Sequence, residues 1–452
     1  MRVAVVGGGI AGLAAGYRLQ RSGAAPVIFE KGEGDRTGSQ RVGGFIIDKG
    51  AYTIPETHSA FLSLIRELGL SDQLRETPGT SSTFVNGEEH RIKIGSPADF
   101  LRYKLLSFGN KTDLVRLYLH ARTLGAHLNL HRPTPKTLEL ERETARDFLL
   151  RDYSEEILEK IAYPIFADLF LGVPEENSRA AFLATLPNLA RFRIYTLACG
   201  MGMVTGKLRD RLEVKDHTPV LGVRKTGAAS YRVETGGKYA GSWDVDKVVF
   251  AVPPPLVPGL VEGLPEPLAR TLDEVRYSPS MVVALGQRRP FVEHSFINTF
   301  LRSQVPAIAT VIQDQHKGEG RIPEGKGLAA AVLTRDASAR WMDRPDAGAV
   351  EAVLRDMDSV WSGLSSEVTF SRVYRWPFGG VQLPPGTLAR QLRMREQLDA
   401  LDPNWAFAGD GLYRASMEVS VRTGLRAAER VLAGAETPEA SAPAASPHPR
   451  RW

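Results

Sequence analysis

Cysteine is nearly absent: Cys199 stands alone among 452 residues. A single cysteine excludes an internal disulfide and any thiolate metal cluster, and it suits a reducing compartment. Neither sign of charge is in excess. Lys and Arg number 57 against 52 Asp and Glu, a net charge of +5, and the basic residues are dispersed, which argues against a nucleic-acid partner. Long apolar runs are missing too. No stretch nears the ~18 residues of a membrane-crossing helix, and no charged-then-apolar leader precedes Arg2. The expectation is a cytoplasmic protein, with peripheral membrane contact left open by the apolar and basic faces of residues 99–123. Patterns for nucleophilic, paired-carboxylate or metal catalysis are also lacking. His127 and His131 in "HLNLH" make one pair on a helix face without a third ligand, so no metal is expected.

What is present starts at the N-terminus. In "VAVVGGGIAGLAAGYRLQRSGAAPVIFEKG" an apolar strand runs into Gly7, Gly9 and Gly12, spaced Gly-x-Gly-x-x-Gly at the mouth of a helix. Gly7 permits the tight turn, Gly9 lets a pyrophosphate approach the backbone, and Gly12 and Gly16 let the helix pack on the sheet. The helix N-terminus offers free N–H groups and a positive dipole end to the phosphates. Val27 to Phe29 form a second strand, and Glu30 at its end suits an unphosphorylated ribose. The composition, 43% hydrophobic and 24% charged, is that of a globular protein long enough for two or three substructures.

The chain continues with the strand-and-turn "GGFIIDKGAY", an amphipathic helix "SAFLSLIRELGL", and a helical region from 99 to 178 predicted to break near Gly109. Strands return at "LEVKDHTPVLGVRK", "SYRVETGG", "DKVVFAVPPPLVPGLV", "MVVALGQRRPF" and "GLAAAVLT". A helix over 349–361 and the strand "EVTFSRVYRW" follow. The last folded unit, "NWAFAGDGLYRASMEVSVRTGLRAAERVL", is a strand ending in Gly409-Asp410, a turn and a helix. Residues 435–452 are Ala/Pro/Ser-rich and read as a flexible tail. A nicotinamide domain does not need a segment so far from Glu30, whereas a long flavin dinucleotide does. That points to FAD.

The opening unit, Glu30, "DRTGSQR…GGFIIDKGA", "DKVVFAVPPP" and "FAGD…GLRAAERV" together resemble the FAD-dependent amine oxidase and protoporphyrinogen oxidase superfamily. Within it, "DFLLRDYSEEILEKIAYPIFADLFLGVPEENS" and "YRWPFGGVQLPPGTL" are more similar to the protoporphyrinogen oxidase branch. The resemblance implies an α/β fold: a Rossmann-like FAD-binding domain of three segments, 1–75, 205–275 and 390–434, plus a mixed-sheet and helical substrate domain, 76–204 and 276–389. Carried over by position, Gly7, Gly9, Ile10, Ala11 and Gly12 would hold the pyrophosphate, Glu30 and Lys31 the adenosine ribose, and Val220 would offer backbone to the adenine. Gly38 belongs to the following loop, and Gly409, Asp410 and Met417 would serve the ribityl and ring ends.

One departure stands out. The family writes Asp-Arg-x-Gly-Gly-Arg where this chain has Asp35, Arg36, Thr37, Gly38, Ser39, Gln40 and Arg41. Either Gln40 replaces the arginine that steadies FAD, or one extra residue moves that role to Arg41; the second is preferred. Tyr374 and Trp376, with Phe378, lie in the stretch that in related enzymes runs beside the isoalloxazine, as a wall for flavin and substrate. Tyr413, Phe166, Phe170 and Leu171 are the further pocket candidates. The expected function is an FAD-dependent oxidase or desaturase that takes a hydride from a sizeable, largely apolar small molecule, a porphyrinogen or a secondary-metabolite precursor, with O2 as acceptor. The alternatives are a flavin amine oxidase and, from another class, a non-redox prenyl- or lipid-binding escort protein on the same fold. A covalent flavin link through Cys199 is not expected.

Overall fold

The computed structural model describes residues 1–32, 36–189 and 193–433. Asp35 and the tail expected over 435–452 lie outside the described residues. Five parallel strands form the first sheet, in the order Glu213–Lys215, Ala25–Phe29, Arg2–Val6, Lys247–Phe250 and Trp405–Phe407. Its centre is the opening strand, where Val5 pairs with Ile28 on one side and Val249 on the other. Val3, Ala4, Val5 and Val6 are buried. A strand covered on both faces needs a continuous apolar run, which explains their lack of alternation.

Each face of that sheet has its own cover. The helices Ile10–Arg21 and Met417–Ala433 share one apolar cluster with it. They touch through backbone: a Cβ on Gly424 would lie 2.2 Å from the Ala11 carbonyl oxygen. On the other face, an antiparallel sheet of Val220–Gly227, Ser230–Thr235 and Gly241–Val245 packs Val223, Val233 and Val245 against Phe29 and Phe250. The first and last described elements are thus neighbours, and a ligand along the sheet's C-terminal edge meets both.

The second layer is a seven-stranded mixed sheet in the order Val368–Val381, Tyr277–Gln287, Gly327–Leu333, Ile308–Gln313, Ile297–Phe300, Thr80–Val85 and Glu88–Lys93. One face packs on the helix Asp346–Val360, through Val283, Leu285, Val353 and Met357. The other presents Val282, Phe296, Ile312, Ala330 and Val332 toward Tyr52, Leu171 and Tyr374. A helical region from Phe108 to Leu189 forms a separate core around Phe148, Phe166, Phe170 and Phe182. A buried group of two cations and two carboxylates pins the Phe45–Asp48 strand to this layer. Lys317 and Arg321 reach Asp48 at 2.9 and 2.7 Å and Asp314 at 2.8 and 3.3 Å. Equal and opposite charges, closely bonded, are what makes such burial tolerable.

Two local expectations need correction. The helical stretch 99–123 breaks before Gly109, between Pro97–Arg102 and Phe108–Leu124. Ser107 starts the second helix by accepting the Asn110 N–H at 3.3 Å, and buried Tyr103 leaves the first to donate to Thr83 at 3.2 Å. His127 and His131 do not share a helix face: His127 sits in the short turn Gly125–Leu128, and His131 lies beyond it with its ring 4.9 Å from that of Tyr413. Among the described residues no group of His, Cys, Asp and Glu is arranged to hold a metal, and no helix is long and apolar enough to cross a membrane.

Candidate active site

The glycine turn is built so that only glycine fits. Gly7 has φ +107°, in the region that disfavours side chains. A Cβ on Gly12 would lie 2.0 Å from the Gly7 carbonyl oxygen. The helix Ile10–Arg21 starts at Gly9 with no side-chain cap and no acidic residue in its first turn, which leaves its leading N–H groups for an anion. Ile10 and Ala11 are buried in that turn. Backbone atoms at close approach and leading N–H groups without a side-chain cap are the features a pyrophosphate needs, so the residues fit FAD at this end.

Glu30 follows the second strand and accepts the N–H groups of Gly8 at 2.7 Å and Gly32 at 2.9 Å. Its own carbonyl accepts the Thr218 N–H at 2.7 Å. This brings the start of the Val220–Gly227 strand beside the Glu30 turn, so Glu30 and Val220 are neighbours while Lys31 points to solvent.

The far end assembles around Asp410. Gly409, at φ +123°, turns the chain out of the Trp405–Phe407 strand, and its N–H donates to Thr423 at 2.9 Å. Asp410 is only 6% exposed. Arg36 donates to its Oδ2 at 2.6 Å and also to the Gly379 carbonyl, and the Tyr277 hydroxyl reaches its Oδ1 at 3.3 Å. Burial, and then the Asp410 charge, holds the Tyr277 hydroxyl well above the usual phenol range. A Cβ on Gly411 would lie 2.3 Å from the Tyr277 oxygen, so the turn and the tyrosine require each other. Met417 opens the final helix a few residues on.

Arg36, rather than Arg41, stands beside Asp410. Ser39–Val42 and Phe45–Asp48 form a hairpin, and Ser39 faces inward, donating to Asp48 and accepting the Gly202 N–H. Gly38 leads into the hairpin and accepts the Lys49 N–H at 2.9 Å. Arg41 sits toward the exposed hairpin turn, and Gln40 accepts the Tyr374 hydroxyl at 2.6 Å.

Tyr374 and Trp376, paired with Val282 and Ser280, share one face of the Val368–Val381 strand, and Phe378 follows where the register shifts before Gly380. Trp376 donates its indole N–H to the Lys49 carbonyl at 2.9 Å, and Gly50 lies against both Trp376 and Arg36. Phe378 meets Tyr277 edge-on at 5.3 Å. The aromatic strand and the Arg36–Asp410 pair therefore belong to one constellation. Tyr413 is not part of that face: it packs on His131 and, at 4.3 Å, on Arg395. Phe166 and Phe170 stand apart from that face as well. They are buried in the helical core with Phe182, because the apolar stretch around them faces inward on the bundle. Leu171 does reach the cluster of Tyr52 and Tyr374, and it holds a left-handed φ of +52°. An open depression of about 990 Å³, lined by residues such as Arg75, Lys93, Arg193 and His316, lies apart from all the cofactor candidates.

Sequence reasoning missed Tyr277 and the pair Tyr52 and Asp168, and it preferred Arg41 to Arg36. Tyr277 carries no motif. Asp168 did leave a signal, a lone carboxylate inside the apolar "YPIFADLFLG".

The family model for flavin containing amine oxidoreductases matches residues 10–432, and the chain belongs to that family. That family is one of flavin-containing oxidoreductases. Among curated relatives, mitochondrial protoporphyrinogen oxidase of Nicotiana tabacum is 28% identical over 50% of this chain and 43% of its own length. Coproporphyrinogen III oxidase of Bacillus subtilis is 22% identical over 90% of this chain and 93% of its own. The chain thus spans less than half of the first and nearly all of the second. The fold is shared with a provisional protoporphyrinogen oxidase from Exiguobacterium sp. 255-15, at TM-score 0.76, 20% identity and coverage of 95% of this chain and 98% of that one. Cyclohexylamine oxidase of Brevibacterium oxydans shares it at TM-score 0.73 and 19% identity, covering 95% and 98%.

Proposed function

We propose that this protein is an FAD-dependent oxidase of a sizeable, largely apolar organic molecule, a porphyrinogen in the first instance, with O2 as the electron acceptor. When bound, FAD supplies the acceptor for a hydride equivalent. The chain's own residues then bind, orient and exclude water. Gly7, Gly9 and Gly12 hold the pyrophosphate, Glu30 and Val220 the adenosine end, and Arg36 with Asp410 and Met417 the ribityl and ring end. Trp376, fixed by its bond to Lys49, and Tyr374, fixed by Gln40, offer a rigid aromatic wall, which favours a flat or extended guest.

The observation that carries this reading is the meeting of the Arg36–Asp410 pair with the aromatic residues of the Val368–Val381 strand, on the same sheet face as the apolar Val282, Phe296 and Ile312. Positioning rather than a strong general base is the protein's contribution there. The porphyrinogen names of the curated relatives lend support to the substrate class. The test is to mix the FAD-loaded protein with coproporphyrinogen III or protoporphyrinogen IX without oxygen. Loss of the flavin's visible absorbance is expected, with recovery and peroxide release in air. Bleaching by simple primary amines while porphyrinogens leave the flavin oxidised would replace this reading with an amine oxidase.

A further inference from the structure

Tyr52 and Leu171 pack on the sheet face that carries Tyr374 and Trp376, and the carboxylate of Asp168 stands beside Tyr52. Asp168 lies half-buried on the turn Phe166–Phe170, a π-helical segment, and such segments often mark functional positions. The chain then turns through Leu171 in its left-handed conformation. This backbone presents one carboxylate oxygen of Asp168 to the Tyr52 hydroxyl, which donates to it. Among the described residues the other oxygen has no hydrogen-bond partner, and no Lys, Arg or His pairs with the carboxylate. Next to it Ala167, with Tyr163 of the preceding turn and Ala309 of the Ile308–Gln313 strand, forms a small buried cluster.

Tyr52, Asp168, Leu171 and Tyr374 each keep part of their surface accessible. A carboxylate in such a place, without a counter-cation, is costly to bury. Desolvation accordingly pushes its pKa up to about 6, against the opposing effect of the Tyr52 bond.

We infer that Asp168, oriented by Tyr52, is the polar recognition point of the substrate space and accepts a hydrogen bond from a substrate N–H. This deepens the oxidase reading and rests on it for the location of the substrate. The N–H has two chemical sources, a pyrrole ring of a porphyrinogen or a protonated amine. Either one supplies the donor that the protein leaves out, and the apolar surroundings strengthen the bond.

The test uses the FAD-loaded full chain and the variants Asp168→Asn, Asp168→Ala and Tyr52→Phe. Binding is followed without oxygen by perturbation of the flavin spectrum and by calorimetry. The probes are coproporphyrinogen III, cyclohexylamine and, as the control without N–H, cyclohexanone. At least one N–H probe is expected to bind the wild type and to lose tenfold or more in affinity in both Asp168 variants. Cyclohexanone binding should stay within about threefold, and Tyr52→Phe should keep most of the affinity because the carboxylate remains. Which probe responds identifies the source of the N–H. Both Asp168 variants binding the probes like wild type would overturn the inference, as would failure of both N–H probes to bind the wild type. FAD retention by the variants is part of the expectation, because Asp168 touches none of the cofactor cradle; its loss would overturn the placement. Binding that depends on Asp168 with a flavin that no probe reduces would instead sink the oxidase reading and leave this inference standing.

Discussion

Replacing Arg36 by Gln should loosen FAD, while the same change at Arg41 should not. Arg36 makes two bonds at the Asp410 end, one to the carboxylate and one to the Gly379 carbonyl. Its side chain is 34% exposed, but that of Asp410 is only 8%. A hydrogen bond to a charged group contributes about 1.5–3 kcal/mol, and removing one partner strands the other without its charge. Allowing for water reaching Arg36, a net loss of about 3 kcal/mol is expected, or about two orders of magnitude in FAD affinity. Arg41 is exposed on the hairpin, and surface changes usually stay within about 0.5 kcal/mol. Fluorescence of released FAD, followed on dilution, compares the two variants with wild type. Equal retention by Arg36→Gln and wild type, or a larger loss in Arg41→Gln, would refute the assignment of Arg36.

Three further outcomes follow from the geometry. Gly424→Ala drives a methyl against the Ala11 carbonyl and should cost about 1–3 kcal/mol as an overpacked contact; an unchanged urea midpoint would contradict this. Glu418 accepts the N–H groups of Ala60 and Phe61 at 2.9 and 3.0 Å and also pairs with Arg422. Burial alone would raise its pKa, but Arg422 and these N–H groups bring it below 4.5. The stabilisation is present above pH 4.5 and lost as pH falls through the lower folded value, so Glu418→Gln should flatten that part of the stability profile, as acid titrations of both proteins would reveal. Trp376→Ala should slow flavin reduction more than tenfold and leave reoxidation by air nearly unchanged in stopped-flow absorbance; equal slowing of both would argue against a substrate-facing wall.

The two ends of the cofactor unit were legible because their constraints are local. Gly7, Gly12 and Gly409 are needed where a backbone turns through positive φ or meets a carbonyl, and such needs leave a spacing in the chain. Glu30 follows from its place at a strand end. Which arginine meets Asp410 could not be read from spacing, since Gln40 and Arg41 enter the Ser39–Val42 hairpin strand while Arg36 lies before it, against Gly50 and beside Asp410. Phe166 and Leu171 look alike as apolar residues near one another, yet the π-helical turn sends the first into the helical core and the second to the sheet face. Tyr277 was invisible because its role depends on a partner far away in sequence, brought in by the pairing of Tyr277 with Val381.

The claim on which the rest depends is that a bound flavin takes electrons from a porphyrinogen in the space beside Trp376. Anaerobic mixing of the FAD-loaded protein with coproporphyrinogen III, followed by admission of air, measures it directly. The visible flavin absorbance should fall within one mixing experiment and return with peroxide, with porphyrin fluorescence rising in step. A flavin that stays oxidised in the presence of porphyrinogens, while cyclohexylamine bleaches it, would contradict the claim.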